Sequence, residues 1–591
     1  MRITFCGAAE SVTGSCHLIE TEGENALSFL LDCGQFQGSA TQEKKNYDPF
    51  PFDPAKIGFL ILSHAHIDHC GRIPLLVKQG FQGRIYCTSA TADLLPIMLR
   101  DCAHIQEKEA EWKNRKAQRA GRELITPLYT MEDAEASLTY ITPVLYDQEI
   151  APDDRVRFSF ADAGHILGSA ITQVWVREDA GETLVVFSGD LGVDSMPLLR
   201  DPVKIRQADV VLMETTYGAR LHEKHEPSLE RLMEIIDRTA KRGGTVVIPS
   251  FAVGRTQELI YELNKYYEGK DAEAKFLNGI MVYIDSPMAS AATEVFRGNI
   301  QDFDEEYKAR VMAGDDPLDF ANLVFTRSTD ESKALNENSS PKIIISASGM
   351  CDAGRILHHL KHRLWDPKST VVFVGYQSEG TLGRRLVEGA KTVSILGEAV
   401  NVNADVISLE GFSAHADRDG LLEWARGFAA PPKSLFLVHG EADAKAAFSK
   451  TLHDEAGMDS IVIEDYCTYI IEPGRKARKK GEAAETDDEA GNTGKAGDTD
   501  TGGNTDTGGA GRDADVDPED MERLLSKLRN VNDNVEGLLY RAKLAAVEAA
   551  DGGDKEKYTA LKNVIASLET DTSKLAGALA ERKRDQQGPD V

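Results

Sequence analysis

The sequence predicts an α/β protein of several domains, and three observations predict it. Short apolar runs recur along the chain and end in loops of glycine, small residues and acids, as buried strands do when they lead into helices. At one such strand end, ten residues from Ile61 to Cys70 (ILSHAHIDHC) hold four side chains of metal-ligand type. With 591 residues, the chain exceeds what one core organises, so roughly two to four domains are expected.

Composition narrows the class. A hydrophobic content of 41% and a mean hydropathy of −0.32 describe a water-soluble globular chain. Neither a membrane-length apolar run nor a secretory signal occurs. The 8 cysteines show no C-x-x-C spacing, so reduced thiols in a cytoplasm are the simplest expectation. A net charge of −29 argues against non-specific wrapping of nucleic acid but not against metal-centred cleavage of it, because a buried dication site supplies its own local field.

Taken in order, Arg2 to Cys6 reads as a first strand. The small-residue run Gly7 to Cys16 then suits a hairpin loop that approaches something closely. Phe29-Leu30-Leu31 ends in Asp32. An acid there can be a plain turn residue, yet at a sheet end facing histidines it suits orienting an imidazole through its other N–H. In near-extended chain, residues two apart project to one side. His64 and His66 can therefore grip one ion while Asp68 and His69 face a second. Ile85 to Ser89 is a strand, and Leu94 to Ala120 a charged helix with no chemistry of its own. His165 lies in a glycine-bounded loop after the strand at 157–160, and Asp190 ends the strand Thr183 to Ser188. Singly, both would pass as structural residues.

Together they do not. Asp32, the cluster His64, His66, Asp68 and His69, then His165 and Asp190 arrive in that order, each at an expected strand end, and this series resembles the metallo-β-lactamase superfamily. The resemblance implies a four-layer αββα sandwich with a two-metal site along one sheet edge. Carried over by motif, one zinc ion takes His64, His66 and His165, the other takes Asp68 and His69, and Asp190 bridges both.

Further motifs narrow the likeness: Glu214 in E-T-T-Y-G, His415 in S-A-H-A-D, His439 in V-H-G-E, and the opening G-A-A-x-x-V-T-G-S-C-H. These resemble the β-CASP nucleases, in the branch holding the endonuclease subunit of the cleavage and polyadenylation complex and its prokaryotic homologues. The resemblance spans roughly residues 1–472 and divides them into a sandwich (1–215 and 396–472) and an inserted α/β β-CASP domain (216–395) that closes over the metals as an RNA cleft. It implies two Zn2+, with His439 completing the second. It also implies Asp68, Glu214 and His415 as catalytic residues, His415 donating the proton to the leaving oxygen under Glu214, and hydrolysis to a 5′-phosphate with no covalent intermediate. Single-stranded RNA is the implied substrate, cut endonucleolytically in RNA processing or decay. The alternatives are 5′-exonuclease action, a DNA-directed relative, whose last motif typically carries an apolar residue in place of His439, and a non-nuclease metallo-hydrolase.

Inside 216–395, strands at 245–249, 281–284, 342–346 and 371–375 each run into small-residue turns, which suit phosphate. Arg255, Ser348, Gln377 and Arg384 are the expected substrate contacts. No G-x-G-x-x-G or G-x-x-x-x-G-K-[ST] motif occurs, so no nucleotide cofactor is expected. Beyond 472, residues 473–516 read as a disordered linker rich in glycine, threonine and acids. Residues 517–591 carry two amphipathic series around a glycine turn, a helical hairpin or the arm of a coiled-coil homodimer.

Overall fold

The computed structural model describes residues 1–482 apart from 24–25, 269–276, 278 and 379. Of the expected linker 473–516, residues 483–516 lie outside the described residues, as does the expected helical hairpin or coiled coil over 517–591. Residues Met1–Ala477 form one compact unit.

Two mixed sheets face one another. The first places Thr468–Ile470, Arg2–Gly7, Cys16–Glu20, Ser28–Leu31, Ile57–Ile61, Arg84–Thr88 and Ile141–Val144 side by side, antiparallel at its start and parallel from Ser28–Leu31 onward. The second runs Ile461–Val462, Ser434–Val438, Val210–Glu214, Gly181–Phe187, Ala170–Glu178, Val156–Asp162, Ile150–Asp153. Strand alternation sends successive side chains into different cores. Phe29, Leu31, Phe59 and Ile61 meet Phe158, Phe187, Leu212 and Phe436 between the sheets, whereas Leu30 and Leu60 join the helix-covered outer face of the first sheet. On the second sheet, Val211, Met213, Leu435 and Leu437 turn outward to the layer carrying Leu421, Trp424 and Phe448. The result is the expected αββα sandwich.

A third sheet of six strands is wholly parallel, in the order Leu323–Phe325, Met281–Ile284, Lys342–Ser346, Thr245–Pro249, Thr370–Phe373, Asp405–Ser408. Its last strand lies downstream of the boundary expected after residue 395. The hairpin Thr392–Ile395 with Glu398–Asn401 intervenes, and the chain pairs with this sheet once more before it returns to the second. Among the described residues, no helix is long and apolar enough to cross a membrane.

Candidate metal centre

The strand Ile57–Ile61 delivers the histidine cluster, but the extended stretch expected through His69 stops at His66, which caps a short helix, Ile67–Cys70. That turn, rather than strand alternation, carries Asp68 and His69 away from His64 and His66. Gly34 permits it, since a Cβ there would collide with the carbonyl of Asp68.

Two donor sets converge. Nδ1 of His66 lies 3.1 Å from Nε2 of His64 and 3.2 Å from Nε2 of His165. Imidazole nitrogens around a tetrahedral zinc ion at ordinary bond lengths stand about 3.3 Å apart. Asp190 Oδ2 is 3.6 Å from both His64 and His165, and 3.3 Å from Nε2 of His69. On the other side, His439 Nε2 is 3.6 Å from Asp68 Oδ2 and its Nδ1 3.4 Å from Asp190 Oδ1. Thus His64, His66, His165 and Asp190 form one group, and Asp68, His69 and His439 a second, with Asp190 touching both.

The residues fit a dication site by an independent sign. Nε2 of His69, Nε2 of His439 and Oδ1 of Asp190 are buried and make no hydrogen bond among the described residues. Polar atoms left so are costly without a partner, and these three point into one cluster. Burial holds the His64 and His165 imidazoles well below their ordinary pKa and His66 at about 4, so all three are neutral, as metal ligands must be. His69 differs: burial opposes its charge, but Asp190 and Asp32 together hold it well above the ordinary value.

The far nitrogens of four rings are held in turn, while Nε2 of His66 makes no hydrogen bond among the described residues. Asp32 Oδ2 lies 2.7 Å from Nδ1 of His69, and the same carboxylate accepts from the Ser15 and Ser63 hydroxyls and the Ser63 amide. Ser63 Oγ is 3.1 Å from Nδ1 of His64, the Ala414 carbonyl 3.2 Å from Nδ1 of His165, and Thr216 Oγ1 3.1 Å from Nδ1 of His439. Sequence reading had missed Ser63, Thr216 and the Ala414 carbonyl; the one available signal was their adjacency to His64, Glu214 and His415. Both Asp32 (φ 61°) and His439 (φ 48°) sit in the left-handed region, strain of the kind that clusters at functional sites.

Beside this cluster, His415 Nδ1 is 3.2 Å from Glu214 Oε1 and 3.9 Å from Asp190. Glu214 is fully buried and accepts from the Leu191 and Thr216 amides. Burial opposes a charge on His415, but Glu214, Asp190 and Asp68 lift its pKa to about 9.

The expected substrate contacts fare differently. Arg255 is buried at the start of its helix, its guanidinium 2.5 Å from Glu258. Arg384 pairs with Glu388 at 2.6 Å. Gln377 spends its amide N–H groups on the Gly349, Gly375 and Tyr376 carbonyls, which ties two of the strand-end turns together. Ser348 accepts from the Asp352 amide. Ser348 and Gln377 lie in turns that follow third-sheet strands, Arg255 starts the helix after the turn that follows Thr245–Pro249, and Arg384 lies within the helix Leu382–Val387.

Family models match the chain in three stretches: the metallo-beta-lactamase superfamily over residues 11–249, the Beta-Casp domain over 256–386, and the Zn-dependent metallo-hydrolase RNA specificity domain over 399–463. Among curated relatives, Ribonuclease TTHA0252 of Thermus thermophilus is 39% identical over 76% of this chain and 96% of its own length. The transcription termination factor FttA of Methanocaldococcus jannaschii is 32% identical over 76% of this chain and 69% of its own. An RNase J-like protein of the same archaeon is 33% identical, with 76% and 95% covered. The site therefore sits in a metal-dependent hydrolase, and the chain belongs to the β-CASP family of the metallo-β-lactamase superfamily.

Proposed function

We propose that the protein is a zinc-dependent ribonuclease that hydrolyses phosphodiester bonds within single-stranded RNA, in RNA processing or decay. The observation that supports it most is one buried carboxylate, Asp190, shared by two converging donor sets, with the Glu214–His415 pair at its side. Similarity over nearly the whole length of a relative named as a ribonuclease supports the substrate.

His64, His66 and His165 would hold one ion, Asp68, His69 and His439 the other, and Asp190 both. Two zinc ions held there would supply Lewis acidity to a phosphodiester oxygen and would make water a nucleophile at neutral pH. The chain's own residues orient and move protons. Asp32, Ser63, Ala414 and Thr216 fix the ring planes through their second nitrogens. Glu214, pinned by two amides, holds His415 by Nδ1, which leaves Nε2 to donate a proton to the departing ribose oxygen. The turn carrying Phe251 approaches His66, which supports the third sheet's strand ends as one wall of an RNA cleft.

Single-stranded RNA labelled at either end, with and without chelator, tests the reading. Internal fragments bearing 5′-phosphates, lost with chelator and restored by zinc, are expected. Mononucleotides released only from the 5′ end would replace endonuclease by exonuclease action; cleavage of DNA but not RNA would overturn the substrate.

A further inference from the structure

Phe251 is out of keeping with its surroundings. It follows the buried strand Thr245–Pro249, and its neighbours Ser250, Ala252 and Val253 are buried, yet the residue itself is 38% exposed. The ring stands 6.4 Å from that of His66. Its backbone is clamped, since its carbonyl accepts from both the Thr256 amide and hydroxyl. One edge rests where two other strand-end loops have no side chain: a Cβ on Gly349 would stand 3.1 Å from the ring, and one on Gly375 would stand 3.7 Å away. Glycine at those positions gives the ring a seat, and the clamp holds the backbone that carries it. A large apolar side chain seated on one edge and left open to water beside a metal ligand has a face to offer to substrate.

Rings continue past the ligands. His66 is 5.1 Å from His165, His165 4.4 Å from His415, and His415 6.1 Å from Tyr217. Phe251 thus stands at the His66 end of this series, and His415, the proton donor, stands toward the other.

On the ribonuclease reading above, we propose that Phe251 is a substrate-binding residue that stacks on the nucleobase next to the scissile phosphate. The partner is the face of a base, because every base offers a π-surface and the ring has no hydrogen-bonding group to choose among them. Stacking there sets the position of the strand on the metals without imposing a sequence. Arg255 and Gln377, engaged within the protein, leave this task to shape rather than charge.

The test is a chemical double-mutant cycle with the zinc-loaded full-length protein. Phe251→Ala should lower kcat/KM on single-stranded RNA by roughly 5- to 100-fold, mainly through KM, the range set by base–aromatic stacking. Phe251→Trp should retain wild-type efficiency, and bound zinc should be unchanged in both. A series of RNAs with one abasic nucleotide moved along the strand should reveal one position where the wild type loses a comparable factor and Phe251→Ala loses nothing more. Equal abasic losses in both proteins, full efficiency in Phe251→Leu, or zinc lost from Phe251→Ala would each overturn the proposal. A wild type that cuts no RNA would fell the ribonuclease reading as well, whereas a wild type that cuts and an indifferent Phe251→Ala would fell the stacking alone.

Discussion

Among the described residues, two buried clusters of histidine and carboxylate invite comparison, and only one of the two looks like a site. In the third sheet, Asp285 follows the strand Met281–Ile284 and is fully buried. Its oxygens accept from His359 Nε2 at 2.6 Å, Arg355 at 2.6 Å, the Ser332 hydroxyl at 2.5 Å and the Thr326 hydroxyl. The other nitrogen of His359 lies 3.0 Å from Asn336 Oδ1. Every valence is used. Around Asp190, by contrast, one carboxylate oxygen and the inward nitrogens of His69 and His439 make no hydrogen bond among the described residues. Both clusters have the right residue types at comparable burial. Residual valence, not composition, separates a fastening from a metal centre.

The sharpest break of that comparison is Asp190→Ala. It should abolish cleavage and release one to two zinc equivalents, because one side chain touches both donor sets. Elemental analysis of the purified variant checks it, and full zinc content would refute the bridging role. Next in size is His415→Ala, expected to lower turnover by about 10²–10⁴-fold with zinc retained. An activated phosphodiester, whose leaving group needs no proton, should be hurt less. Equal damage on both substrates would make His415 a ligand or a prop.

The same contrast explains what could be read in advance. His64, His66, Asp68 and His69 crowd into six residues, so their chemistry is visible without a fold, and the strands at Phe29–Leu31 and within Ile57–Leu62 are legible as apolar runs, though not which of two cores each side chain enters. The pairing of Arg255 was not legible, because its partner Glu258 lies one helical turn on and nothing in the letters says whether a turn is buried. The helix at Ile67–Cys70 was missed for a related reason: four residues carry too little periodicity to set against an extended reading. Asp285, His359 and Arg355 lie as much as 74 residues apart, and only the parallel sheet brings them together. Phe251 stayed hidden within a run of small residues, since exposure of a phenylalanine is a property of its neighbours.

On the saturated side of the comparison, Asp285→Ala should leave zinc content per folded chain unchanged and cost stability instead. Removing one member of a buried ionic network strands the others, typically at about 3–5 kcal/mol. Denaturant unfolding followed beside zinc analysis separates the outcomes. Loss of zinc at unchanged stability would mean that the two clusters are coupled.

The smallest effect is the one carried by acid. Burial disfavours the Asp285 carboxylate, but His359, Ser332, Thr326 and Arg355 outweigh it and hold its pKa well below the ordinary value. An unfolded aspartate titrates near about 3.9, so the unfolded chain takes up this proton first. Asp285 therefore contributes stability that is fully present above that pH and is lost as pH falls below it toward the folded value. Asp285→Asn keeps the shape and removes the titration. Melting both proteins in chelator, so that metal loss is common to them, should give a wild-type midpoint that drops more steeply below about pH 4, with the gap between the two narrowing on acidification. Each unit of depression corresponds to about 1.4 kcal/mol, which makes the convergence measurable in a single series of melts. Parallel curves would mean that Asp285 carries no depressed pKa, and with it would go the claim that its valences are filled by donors rather than merely near them.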